Sequence, residues 1–98
     1  MKDLGLESAF TKFPATLTLS AESFFLVKGR KGDYQLLSAV CPHSHGDIRH
    51  WDNCFMCPSH GWRFSLDNGE CINGPLARMY AAPVVVRNGH LVVEGELP

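Results

Sequence analysis

Along this chain apolar and polar positions recur with a period of two, the mark of strands with one face buried and the other wet. Residues 15–19 (ATLTL) alternate strictly. Residues 23–28 and 34–40 are more continuously apolar, and Gly29-Arg30-Lys31-Gly32-Asp33 between them carries the glycines that a hairpin reversal calls for. Residues 62–66 and 70–72 flank Asp67-Asn68-Gly69. Residues 84–87 and 90–94 flank Asn88-Gly89, the dipeptide best suited to a type I′ turn. No window sustains the 3.6-residue period of a helix. Between Cys41 and His60 the alternation fails, and Pro42, Gly46, Pro58 and Gly61 punctuate two loops around a short strand at 53–56. The pattern therefore predicts an all-β fold, a small antiparallel β-sandwich with an inserted loop pair.

Length and composition narrow the picture. At 98 residues the chain has room for one domain, 1–98, with a single core, because a protein this small buries only roughly 60–65% of its unfolded surface. A hydrophobic content of 45% with 19% charged residues places it among folded proteins rather than disordered ones. Nine Lys and Arg against ten Asp and Glu give a formal charge of -1, without the basic excess that drives phosphate binding, so no nucleic acid partner is expected. No apolar run approaches the ~20 residues of a membrane helix, and MKDLGLESAF puts charges where a signal peptide is apolar. A cytoplasmic chain without membrane contact is expected. Under those conditions four cysteines more often mean metal ligation than disulfides.

The inserted loops each offer one thiol and one imidazole: Cys41-Pro42-His43, then Cys57-Pro58-Ser59-His60, with residues 44–56 between. Thiolate and imidazole together suit zinc or iron–sulfur chemistry and exclude the oxygen-seeking calcium and magnesium. On the residues alone, two centres stay open. One is a mononuclear Cys2His2 zinc site, which would make the chain a redox-inert structural zinc-binding adaptor. The other is a [2Fe-2S] centre with two Cys on one iron and two His on the other. Cys54 and Cys71 read as small hydrophobes buried in strands. His45 and His50 read as solvated loop residues and His90 as exposed beside its turn. Trp51 fits an exposed contact near the loops as well as a packing residue beneath them. Trp62, Phe64 and Leu66, alternating with Arg63 and Ser65, read as one face of a strand.

The runs C-P-H, C-P-S-H-G-W-R-F and D-N-G-E-C-I-N-G-P closely resemble the cluster loops of Rieske-type ferredoxins and of the Rieske domains of aromatic-ring oxygenases, over residues 38–76. The spacer is shorter than is usual there, and His45 stands where a small residue is common. The resemblance implies a Rieske-type β-sandwich whose two-loop cluster-binding subdomain, about 41–64, holds one [2Fe-2S] cluster. In that reading Cys41 and Cys57 bind the inner iron, and His43 and His60 bind the outer iron near solvent. Pro42 and Pro58 would fix the backbone after each cysteine, while Gly46 and Gly61 would let amides approach the cluster sulfurs. Two neutral imidazoles in place of two thiolates leave the reduced centre with one negative charge rather than three, which raises its potential.

The function this resemblance implies is a soluble one-electron carrier, a monomer taking electrons from a flavin-dependent NAD(P)H reductase and passing them to a terminal oxygenase through transient contacts. It would not itself be an enzyme. A Rieske oxygenase adds a mononuclear iron held by two His and a carboxylate, and beyond His43 and His60 only His45, His50 and His90 remain. The alternative is a Rieske small subunit or domain of a larger enzyme, an oxygenase or an assimilatory nitrite reductase. High-potential relatives resemble C-T-H-L-G-C and C-P-C-H-G-S-x-Y. Here Gly46 and Ser59 stand at the bridging-cysteine positions, and Trp62 and Phe64 at those of the Ser and Tyr, which implies a low potential.

Overall fold

A computed structural model of the protein describes residues 1–42, 46–59, 61–74 and 77–98. Among them lie nine strands: β1 (Lys2–Leu6), β2 (Ala15–Leu19), β3 (Glu22–Lys28), β4 (Tyr34–Ser38), β5 (Arg49–Trp51), β6 (Cys54–Cys57), β7 (Trp62–Ser65), β8 (Ala81–Arg87) and β9 (His90–Val93). A single 3-10 turn, Glu7–Ala9, follows β1. Six strands form one sheet in the order β1-β9-β8-β4-β3-β2, and β5-β6-β7 form a second. Every pairing is antiparallel, as the alternation predicts. No described helix is long and apolar enough to cross a membrane.

The nearly continuous apolar runs of β3 and β4 have a direct cause: both strands are covered on both faces. Phe24 and Leu26 pack with Leu36, Val84, Leu91 and Val93 on one side, while Phe25 and Val27 pack with Leu37, Cys41, Phe55, Cys57 and Phe64 on the other. The described residues thus form two apolar clusters rather than the single core expected from the chain's length, with β3 and β4 as the wall between them. Each fully buried Phe side chain contributes about 1.5–3 kcal/mol relative to an exposed one.

Turn chemistry explains most reversals. Lys28 pairs with Tyr34 across the predicted five-residue loop, where Gly29 N–H donates to Asp33 O at 2.7 Å. Asn88 and Gly89 sit at φ 52 and 80, both positive as a type I′ turn requires. The β2–β3 turn is different: Ser20 and Ala21 hold φ 51 and 64 without a glycine or asparagine.

Some boundaries move. The strand expected over 34–40 ends at Ser38, because Val40 leaves the sheet to bridge Asp47. Residues 70–72 form only isolated bridges, Glu70 to Arg78 and Cys71 to Phe64. Two strands were not foreshadowed: β1, whose register shifts between Asp3 and Gly5, and β5, which is exposed throughout. β1 also explains why His90 is half-buried rather than simply exposed, with its Nδ1 3.1 Å from Asp3 Oδ2. The Gly5 N–H, donating to Asp3 Oδ1 at 2.8 Å, holds that carboxyl below its usual pKa range, and His90 adds to the effect. Beside the 3-10 turn, Tyr34 Oη donates to Glu7 Oε2 at 2.7 Å, and this bond raises the tyrosine pKa above its ordinary value.

Candidate metal centre

The backbone of β4 runs into the first loop with every successive donor satisfied. Ser38 N–H donates to Tyr80 O (2.8 Å), Ala39 N–H to Ser23 O (3.1 Å) and Cys41 N–H to Gly46 O (2.8 Å). Val40 N–H donates to the Ser38 hydroxyl at 3.2 Å. On the return, Ile48 N–H donates to Ala39 O at 2.7 Å, so the loop neck is a short ladder closed on both sides. Buried donors left without partners would cost about as much as lost hydrogen bonds, and this accounting leaves the segment 38–41 no slack. Cys41 emerges at the end of the ladder with 0% exposure.

A second neck lies at the β6–β7 hairpin. Cys57, also 0% exposed, ends β6 opposite Trp62, and Gly61 N–H donates to Cys57 O at 2.9 Å. Gly61 sits at φ 69 with open space around its Cα, so the backbone angle calls for glycine there rather than crowding. The Gly61 N–H itself is committed to the Cys57 carbonyl. Proline after each cysteine disfavours helical backbone at Cys41 and Cys57, which suits a residue leaving a strand, and Cys57 does end β6.

The two thiols meet in one apolar cluster with Ile48, Phe55, Phe64 and Met79. Two buried sulfurs at the bases of two adjacent closed loops fit a group that takes thiolates on its inner side, since an isolated buried thiolate is costly without a metal. His43 and His60 lie outside the described residues, as does His45. Among the described residues no three His, Cys, Asp or Glu side chains gather around a metal position.

Cys54 and Cys71 are free thiols away from the loop bases. Cys54 is buried in β6 and its Sγ–H donates to Trp51 O at 3.3 Å. Cys71 is only half-buried and stands at an isolated bridge rather than in a strand, packed against the same cluster as Phe64. The alternation in β7 holds, with Phe64 buried and Trp62 and Leu66 against the cluster edge. His50 is exposed as expected, but it belongs to a strand. Trp51 takes the exposed alternative at 47%, with the Arg63 guanidinium 4.9 Å from its ring centroid.

Asn73 lies in the D-N-G-E-C-I-N-G-P run, which ties it to the cluster loops only by resemblance, and its bonds are shown by the fold. Asn73 accepts from Arg63 N–H through Oδ1 at 2.7 Å and donates from Nδ2 to Gly61 O at 3.1 Å. Its partners lie ten and twelve positions back, so no local pattern reveals them. Apart from that run, a polar residue beside a Gly-Pro reads as a turn residue.

With this geometry in place, the likenesses to known proteins are informative. The profile of the Rieske [2Fe-2S] domain matches residues 4–88. A cholesterol 7-desaturase of Caenorhabditis elegans is 26% identical over 88 residues, which cover 76% of this chain and 21% of that protein. The ferredoxin component of an alkene monooxygenase system of Xanthobacter autotrophicus is 28% identical over 76 residues, covering 72% of this chain and 61% of that one. The chain therefore spans less than two thirds of either relative's length. Among solved structures, a cyanobacterial plasma membrane Rieske protein from Synechocystis PCC 6803 superposes with a TM-score of 0.72 at 19% identity, covering 97% of this chain and all of the other.

Proposed function

This chain belongs to the family of Rieske [2Fe-2S] domains, whose members bind one [2Fe-2S] cluster, and we propose that it works as a one-electron carrier for an oxygenase. The cluster, when bound, supplies one-electron oxidation and reduction without bond making. In this reading Cys41 and Cys57 hold the inner iron and His43 and His60 the outer one. The observation that carries it is the joint burial of Cys41 and Cys57 in one apolar cluster beneath two hydrogen-bonded loop necks. The protein's own part is positional: closed necks fix where the thiolates stand, and the wall of Phe25, Phe55 and Phe64 keeps water from the inner side. Residues 41–64 serve as the cluster-binding subdomain of a single domain, 1–98.

The donor is a flavin-dependent NAD(P)H reductase and the acceptor a terminal oxygenase, met through small transient contacts by a monomer. The alkene monooxygenase ferredoxin supports the oxygenase side of this assignment. The free thiols of Cys54 and Cys71 suit the reducing cytoplasm. The test is an iron and acid-labile sulfide assay with an absorption spectrum. Two irons, two sulfides and a red-brown colour per chain are expected. One zinc and no sulfide would leave the structural adaptor in its place.

A second reading has its own support. The desaturase likeness, which spans about a fifth of that protein, favours a Rieske domain within a larger oxygenase. An immunoblot of native extract distinguishes the two, since a carrier migrates near 10.9 kDa and a domain migrates with a much larger polypeptide.

A further inference from the structure

Residues 72–74 run alongside the start of β7 and take up the backbone groups that β7 turns away from β6. Arg63 O accepts from Ile72 N–H at 2.9 Å, and Arg63 N–H donates to Asn73 Oδ1 at 2.7 Å. The same side chain reaches back across Trp62, donating from Nδ2 to Gly61 O at 3.1 Å. One amide thus ties two backbone groups on either side of Trp62, where the second loop leaves its tip and enters the strand. The oxygen and nitrogen of Asn73 are assigned without ambiguity, because an N–H on one side and a carbonyl on the other admit only one orientation of the amide.

We propose that Asn73 is a positioning residue for the second cluster loop, setting the backbone at 61–63 and through it the ligand His60 that precedes Gly61 in sequence. The inference rests on the assignment of that loop to the [2Fe-2S] cluster. Gly61 N–H already spans to Cys57 O, so the short loop is closed within itself, and Asn73, together with the Ile72 N–H on Arg63 O, ties its exit to residues 72–74. Asparagine is needed for its paired donor and acceptor. Aspartate keeps the acceptor for Arg63 N–H but sets a second oxygen against the Gly61 carbonyl, and alanine removes both bonds.

The experiment uses the cluster-loaded protein. Wild type, Asn73→Ala, Asn73→Asp and, as a control in the other apolar cluster, Val84→Ala are compared by cluster release to excess iron chelator and by electron paramagnetic resonance after dithionite reduction. Asn73→Ala should release the cluster roughly ten-fold faster or more, as loss of two hydrogen bonds implies, with altered g values. Asn73→Asp should also depart from wild type in both. Val84→Ala, which leaves a cavity on the far side of β3 and β4, should lower the melting temperature while keeping the wild-type spectrum. Failure of Asn73→Ala to accumulate cluster, beside an intact Val84→Ala control, supports the proposal. Identical release and spectra for wild type and both Asn73 variants overturn the clamp alone. A wild-type protein without sulfide overturns the cluster assignment and the clamp with it.

Discussion

Gly74 lies against the indole of Trp62, so near that a Cβ at position 74 would stand 2.9 Å from Cδ1 and 3.0 Å from Nε1, with Cys71 Sγ at 3.3 Å. The indole is rigid and already packed against the cluster that contains Cys41 and Cys57. Gly74→Ala should therefore push Trp62 aside and destabilise the protein by about 1–3 kcal/mol, the usual range for overpacking. Thermal unfolding monitored by tryptophan fluorescence would show a lower midpoint and a changed native spectrum. An unchanged midpoint would mean that the loop 72–74 yields without cost.

The four cysteines should separate into two pairs. Cys41→Ala and Cys57→Ala should abolish cluster binding, as should His43→Ala and His60→Ala. Cys71→Ala should keep the visible spectrum. Cys54→Ala should keep it too, while losing the bond to Trp51 O and some packing volume in β6. Iron and sulfide content measured across all six variants gives the answer, and loss of cluster in Cys54→Ala or Cys71→Ala would show that packing is not their only role.

The reduction potential should lie in the low part of the range of about -150 to +300 mV that Rieske centres span. Phe64 is fully buried beside Cys41 and Cys57 in the cluster, so the hydroxyl of a Phe64→Tyr variant would enter a place without water. A hydroxyl that donates to cluster sulfur favours the more negative reduced state and raises the potential by tens of millivolts. One that finds no acceptor instead costs about 1–3 kcal/mol of stability. Protein-film voltammetry and thermal unfolding on the same variant distinguish these, and the first outcome is expected. A wild-type potential above about +100 mV would contradict the low-potential assignment.

Alkaline stability should depend on Tyr34. Its hydroxyl donates to Glu7 Oε2, and that bond together with burial lifts its pKa above 10.0. A group whose folded pKa is raised contributes stability that is complete below its unfolded value and is lost as pH climbs through the folded one. Tyr34→Phe should thus be less stable than wild type at pH 8, and the difference should shrink above pH ~10. Urea unfolding at a series of pH values would reveal it, and a difference independent of pH would rule the linkage out.

Sequence pattern announced much of the fold for reasons the structure makes plain. Asn88-Gly89 reads as a turn because both residues must hold positive φ, and they do. The continuous apolar runs at Phe24–Val27 and Leu36–Leu37 report strands covered twice, although their pattern alone does not say that two separate clusters result. What stayed hidden has equally specific causes. Ser20 and Ala21 make a tight reversal with residues that seldom signal one, and Arg49-His50-Trp51 pairs through its backbone while exposing every side chain. For the site, the cysteines and their prolines were legible because the chemistry is written in adjacent residues. Asn73 stood within the D-N-G-E-C-I-N-G-P run, but its partners were not legible, because they are two backbone groups that only the folded chain brings to it.

The placement of Phe24 and Phe25, side by side in β3 yet buried in opposite clusters, ties metal occupancy to the whole polypeptide. Anything bound only by the native chain shifts the folding equilibrium by mass action. Because one strand serves both clusters, that shift is not confined to the loops. It should extend to the edge strands β1 and β2 wherever they open only with the whole fold, so iron supply should slow their proteolysis by that route.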